Sequence, residues 1–124
     1  MTGRFGPQAQ SAGEARRFVR ASLVDWERAA VIDVVVLLTS EVVSNVILHA
    51  GPHGPGSEVV VALRRTGNRI RIEVADGHPG FPAIGDGALD KISGRGLLIL
   101  DALADVWGVT PEGPGKVVWF EVEV

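Results

Sequence analysis

The chain contains no cysteine. Disulfides, thiolate metal sites and thiol nucleophiles are excluded at once. It also lacks a basic block. Twelve Lys and Arg stand against 15 Asp and Glu, for a net charge of −3, and that balance points to no nucleic-acid partner. No uninterrupted apolar run approaches the roughly 20 residues of a membrane span, and the N-terminus has no apolar core of a secretory signal. Internal repeats and low-complexity tracts are absent. The expectation is one cytoplasmic domain over residues 1–124, with residues 1–11 as a flexible arm or short edge strand.

What the chain does have is 16 glycines and 7 prolines, clustered between apolar segments where they punctuate structure. Ser11 followed by Glu14 reads as a capping box. The helical spacing of Ala15, Phe18, Val19, Leu23 and Trp26 then predicts a helix to about Trp26, with Arg16, Arg17 and Arg20 on its solvated side. Ala29 to Ala50 predicts a long helix that is apolar nearly all round, the pattern of a buried helix. Glu41, Asn45 and His49 interrupt it at i, i+4 and i+8, so they share one edge. Either that edge faces solvent, or it faces a site that satisfies its polar groups.

A loop from Gly51 to Gly56, which holds His53, separates this helix from a hairpin. The hairpin strands are Glu58 to Arg65 and Arg69 to Asp76, joined by Thr66-Gly67-Asn68. Asp76 stands at a strand end before Gly77-His78-Pro79-Gly80, the place for a ligand-facing loop. After a polar connection, Ser93-Gly94-Arg95-Gly96 opens a helix over Leu97 to Ala104, with Asp101 and Asp105 on its wet side. Glycines at a helix start let backbone N–H groups approach an anion. Val106 to Val109 and Lys116 to Val124 close the chain as strands, with Trp107 and Trp119 as core or sheet-face aromatics. The result is an α+β two-layer sandwich: a mostly antiparallel sheet of about four strands, covered on one face by three helices.

Three pieces stand in order: Glu41-x-x-x-Asn45-x-x-x-His49, Asp76-Gly77-x-Pro79-Gly80, and Ser93-Gly94-Arg95-Gly96-Leu97. Together they resemble the N, G1 and G2 boxes of the GHKL ATPase superfamily. The likeness to small stand-alone anti-sigma-factor serine kinase-like ATP-binding proteins runs through nearly the whole chain. It includes 12–19, 100–108 and 115–121. The resemblance implies ATP or ADP and Mg2+ as cofactors. It implies that Asn45 binds Mg2+ and that Glu41 is catalytic, orienting or deprotonating the attacking hydroxyl or water. Asp76 would accept a hydrogen bond from the adenine amino group, and Gly80 would leave room beside the base. Ser93, Gly94, Arg95, Gly96 and Leu97 would surround the phosphates, with Lys91 and Arg95 supplying positive charge.

The resemblance further implies a sigma factor, an anti-sigma-factor antagonist protein, or both, as partners, with the ATP γ-phosphate passing to Ser or Thr of the antagonist. Homodimers are common among such relatives. Two positions depart from the pattern. His78 replaces a glycine of the G1 box, and Ile92 stands where sporulation-type kinases carry arginine. Ile92 favours an alternative, a nucleotide-binding partner switch without useful kinase activity. None of the three histidines has a phosphoacceptor context, so the reading is not a complete histidine kinase.

Overall fold

A computed structural model describes residues 1–6, 8–50, 58–76, 94–112 and 115–124; at 48–50, 76 and 94–97 it describes the backbone alone. In chain order the elements are β1 (Thr2–Phe5), α1 (Ser11–Leu23), α2 (Ala29–Ala50), β2 (Val59–Thr66), β3 (Arg69–Asp76), α3 (Gly94–Leu103), β4 (Val106–Glu112) and β5 (Gly115–Glu123). The strands form one antiparallel sheet in the order β1-β2-β3-β5-β4.

Strand alternation builds the two faces. Val59, Val61 and Leu63 of β2, Ile70, Ile72 and Val74 of β3, and Val118, Phe120 and Val122 of β5 are buried in one core. Register aligns them in rows such as Val61, Val74 and Val118, or Leu63, Ile72 and Phe120. Their neighbours in sequence, among them Arg69, Arg71, Glu73, Trp119 and Glu121, have the other parity and the outer face. Gly67, at φ +59°, makes the tight β2–β3 turn that the sequence locates. That left-handed conformation suits a residue without Cβ.

The helices close the inner face. In α1, Ala12, Ala15, Val19 and Leu23 are buried at helical spacing. In α2, Val31, Ile32, Val35, Val36, Leu38, Val42, Val43 and Val46 are buried. The two helices run antiparallel. Arg16 Nη1 donates to Ser40 Oγ at 2.7 Å, and Arg20 meets Asp33 at 3.2 Å. These pairs are exposed, so they orient more than they stabilise.

Of the two expectations for residues 1–11 the edge strand holds: residues 2–5 pair with β2 and bring the sheet of about four strands to five. Four residues are too few to show a period, but an unpaired β2 edge attracts them. Three other expectations need correction. There is no capping box. The N-cap is Gln10 in helical conformation, without a side-chain cap bond, and Ser11 is already helical. Its hydroxyl donates to the Gly6 carbonyl at 2.6 Å, tying the helix start to the preceding turn. The first helix stops at Leu23, leaving Trp26 64% exposed beyond it. Finally, Ala29–Ile47 is long and apolar enough to cross a membrane. Asp33 and Glu41 break the uninterrupted run but not the overall apolarity. More than half of that window is buried against the rest of the domain, the position of a core helix.

Candidate functional site

At Asn45 the polar edge of α2 does not face solvent: the residue is only 7% exposed, and its Nδ2 is buried with no hydrogen-bond partner among the described residues. It lines a cavity of about 10 Å³ with Val42, Val46, Leu100 and Val118. That volume is at the lower limit for a single water. Leaving a buried amide donor unpaired costs about 1–3 kcal/mol. Glu41 lies one turn earlier on the same edge and is half-buried. Thr39, fully buried, donates to the Val35 carbonyl at 2.8 Å and so brings no free group to the edge.

Two other elements converge here. Leu100 of α3 lines the same cavity, so α3 packs directly against Asn45. The helix takes in Gly94, Arg95, Gly96 and Leu97 as its first turn, earlier than the expected start at Leu97. Backbone N–H groups of that turn have no intrahelical partner and favour an anion. Asp76 closes β3, in register with Val59. The loop after Asp76 with Gly80, and Lys91 and Ser93 before α3, lie outside the described residues, as do His53 and His78. Roomier hollows exist, one of ≈ 520 Å³ beside the start of α2 and one of ≈ 310 Å³ near Met1 and Trp26. Neither contains a residue of the three sequence motifs.

The structure adds a residue that the motifs do not contain. Lys116, at the start of β5, is 2% exposed. The signal was present in the alternation: Lys116 shares the parity of Val118, Phe120 and Val122, so it belongs to the core-facing column. Elsewhere charge is concentrated on the outer face. Arg71 donates to Glu73 at 2.8 Å and Glu121 at 2.9 Å while stacking 4.2 Å from the Trp119 ring centroid. Hydrogen bonding from Arg71 holds the Glu121 carboxyl below its ordinary value, against partial desolvation, with Arg69 adding to the effect. Arg71 is held above its ordinary value: partial burial opposes its charge, but Glu73 and Glu121 outweigh it. Asp101 is exposed and accepts from Trp107 Nε1 at 2.7 Å; Asp105 is also exposed and accepts from the Glu123 amide.

Among the described residues, no group of three His, Asp or Glu side chains could hold a metal by itself. The oxygen of a single buried amide suits Mg2+, which keeps most of its oxygen ligands from water and phosphate; the unpaired Nδ2 is a donor and is no ligand for it.

The described residues thus form a two-layer α+β domain in which a buried asparagine packs against a helix that opens on glycines. The chain belongs to the histidine kinase-like ATPase domain family, whose model matches residues 5–122. It is thus a member of the GHKL superfamily, whose domains bind ATP or ADP. Among solved structures, the fold is similar to the histidine kinase domain of the Erythrobacter litoralis EL346 blue-light activated histidine kinase. That likeness has a TM-score of 0.62 at 19% identity, over 93% of this chain and 60% of the other. The chain therefore spans less than two thirds of that structure. No protein with a curated description matches.

Proposed function

We propose that this chain is an ATP-dependent regulatory protein that transfers the ATP γ-phosphate to Ser or Thr of a small antagonist protein, in the manner of anti-sigma-factor kinases. The observation that supports the nucleotide site is the burial of the Asn45 amide against α3. Asn45 would hold Mg2+ through its amide oxygen. When bound, the ion neutralises phosphate charge. Glu41, half-buried one turn away, would orient the attacking hydroxyl or accept its proton. The first turn of α3, Gly94 to Leu97, would offer backbone donors to the phosphates, and Lys91, Ser93 and Arg95 are assigned to them by sequence. Asp76 would read the adenine amino group, with Gly80 beside the base. Phosphoryl transfer needs this positioning and charge stabilisation more than covalent help. The setting proposed is the cytoplasm, with a sigma factor or its antagonist as partner.

A second reading is favoured by Ile92, which supplies no charge where phosphate chemistry uses an arginine. In it the nucleotide switches partner affinity without transfer. The test begins with calorimetric titration of ATP, with and without Mg2+, on the native protein and on Asn45→Ala and Asp76→Asn. Mg2+-dependent binding lost in both variants supports the site; no binding by the native protein overturns it. Radiolabelled phosphate on a co-encoded antagonist, abolished by Glu41→Ala, then supports the kinase. Nucleotide-dependent partner binding that survives Glu41→Ala, with no label transferred, supports the switch.

A further inference from the structure

Lys116 is placed where a lysine is seldom found. It is 2% exposed on the core-facing parity of the interior strand β5. A buried ammonium is costly unless an anion meets it, and lysine is almost never fully buried without one. Its position narrows which anion that is. Val31 and Val34 of α2 share a hollow with Val122 and Val124, whereas Val42, Asn45 and Val46 share a cavity with Val118. Helix α2 therefore runs antiparallel to β5. Lys116, the next inward position after Val118, lies beyond Asn45 toward the C-terminal end of α2 and away from Glu41.

Sheet register supplies the neighbour. Ala75 pairs with Val117, so the next residues outward on the two strands are Asp76 and Lys116. Asp76 continues the parity of Ile70, Ile72 and Val74, which is also the parity of the Lys116 column. Asp76 and Lys116 thus hold facing register positions of the same parity at one end of the sheet. Pro111, the Lys116 partner on β4, brings no charge.

We propose that Lys116 is a positioning residue for Asp76: its ammonium holds the carboxylate in the orientation that accepts a hydrogen bond from the exocyclic amino group of adenine. This rests on the reading of the domain as an ATP-binding protein. A carboxylate tethered on one side by a fixed cation has fewer orientations to lose when the base arrives. Lysine suits the task as a compact charge with three donors. It can bind the carboxylate and still leave an oxygen lone pair for the base. Lys116 then governs how strongly the six-position amino group is recognised, while leaving phosphate affinity alone.

The experiment compares ATP with purine riboside triphosphate, which lacks the amino group. Both are titrated calorimetrically into the native protein, Lys116→Met, Lys116→Arg, Asp76→Asn and Lys116→Met/Asp76→Asn, each checked for cooperative thermal unfolding. Lys116→Met is expected to weaken ATP about tenfold or more, the worth of a charge-assisted hydrogen bond, and to leave the purine analogue unchanged. Lys116→Arg should recover part of the loss. In the Asp76→Asn background the lysine substitution should cost nothing further. Equal losses for ATP and the analogue would overturn the proposal, since a merely structural lysine weakens both. Additive losses with Asp76→Asn would overturn it too. If Lys116→Met does not fold, Lys116→Arg carries the test through the ATP-to-analogue affinity ratio: a lowered ratio supports the proposal and an unchanged ratio overturns it. Native protein that binds neither nucleotide defeats the ATP-binding reading itself. Native protein that binds ATP while Lys116→Met binds it as tightly defeats only this inference.

Discussion

Asn45 sets binding against folding. Its amide sits among Val42, Val46, Leu100 and Val118 with Nδ2 unsatisfied. Asn45→Leu keeps the branched shape without a polar atom. It should stabilise the empty domain by about 1 kcal/mol, seen as a higher urea midpoint, while abolishing Mg2+-dependent ATP binding. Glu121 contributes in the opposite sense. Its folded carboxyl is held below the ordinary value of 4.5, so its stabilisation is complete above that pH and lost as pH falls toward the lowered value. Glu121→Gln should therefore flatten the acid limb of a melting-temperature profile below pH 4.5, by less than about 1 kcal/mol because the Arg71 pair is partly solvated. At this scale the sequence was legible where residue type and period coincide. The Glu41–Asn45 edge follows from helical spacing alone. The Arg71–Trp119 stack needed a register between β3 and β5, strands about fifty residues apart, and no local pattern carries that.

Elements were legible in proportion to their length. The long helix α2 and the β2–β3 hairpin fall within a residue or so of their expected bounds, because many apolar positions vote for each. The short β1 has only four residues and takes its conformation from the β2 edge it covers. At the start of α1, capping residues were present in sequence but the helix begins one residue too early to use them. The hairpin turn gives a clean test of local conformation. A Cβ on Gly67 would meet nothing within 4 Å, so any cost of substitution is backbone strain at φ +59°. Gly67→Ala should destabilise by about 1 kcal/mol, and Gly67→Asn by less, since asparagine tolerates that region. Urea denaturation of the two variants measures the difference.

For the whole molecule, ligand and fold are linked. Nucleotide that binds only the native state at 100 times its Kd adds about 2.7 kcal/mol. For a domain of this size, that raises Tm on the order of 10 °C. Differential scanning fluorimetry with Mg2+ and ATP should show that rise, and Asn45→Ala should lose it. The overall architecture was readable because alternation and helical period assign nearly every buried residue to one side of one layer. Strand order was not, since it depends on β5 entering between β3 and β4.

The hydrogen bond from Trp107 to Asp101 has an optical consequence. It ties an indole on β4 to the helix whose first turn is assigned to the phosphates. Of the three tryptophans, Trp26 stands in solvent and Trp119 lies under a guanidinium on the far face of the sheet. Replacing those two with phenylalanine leaves a single emitter coupled to α3. A shift of its emission on adding ATP would then report movement of that helix in real time, in an unlabelled protein.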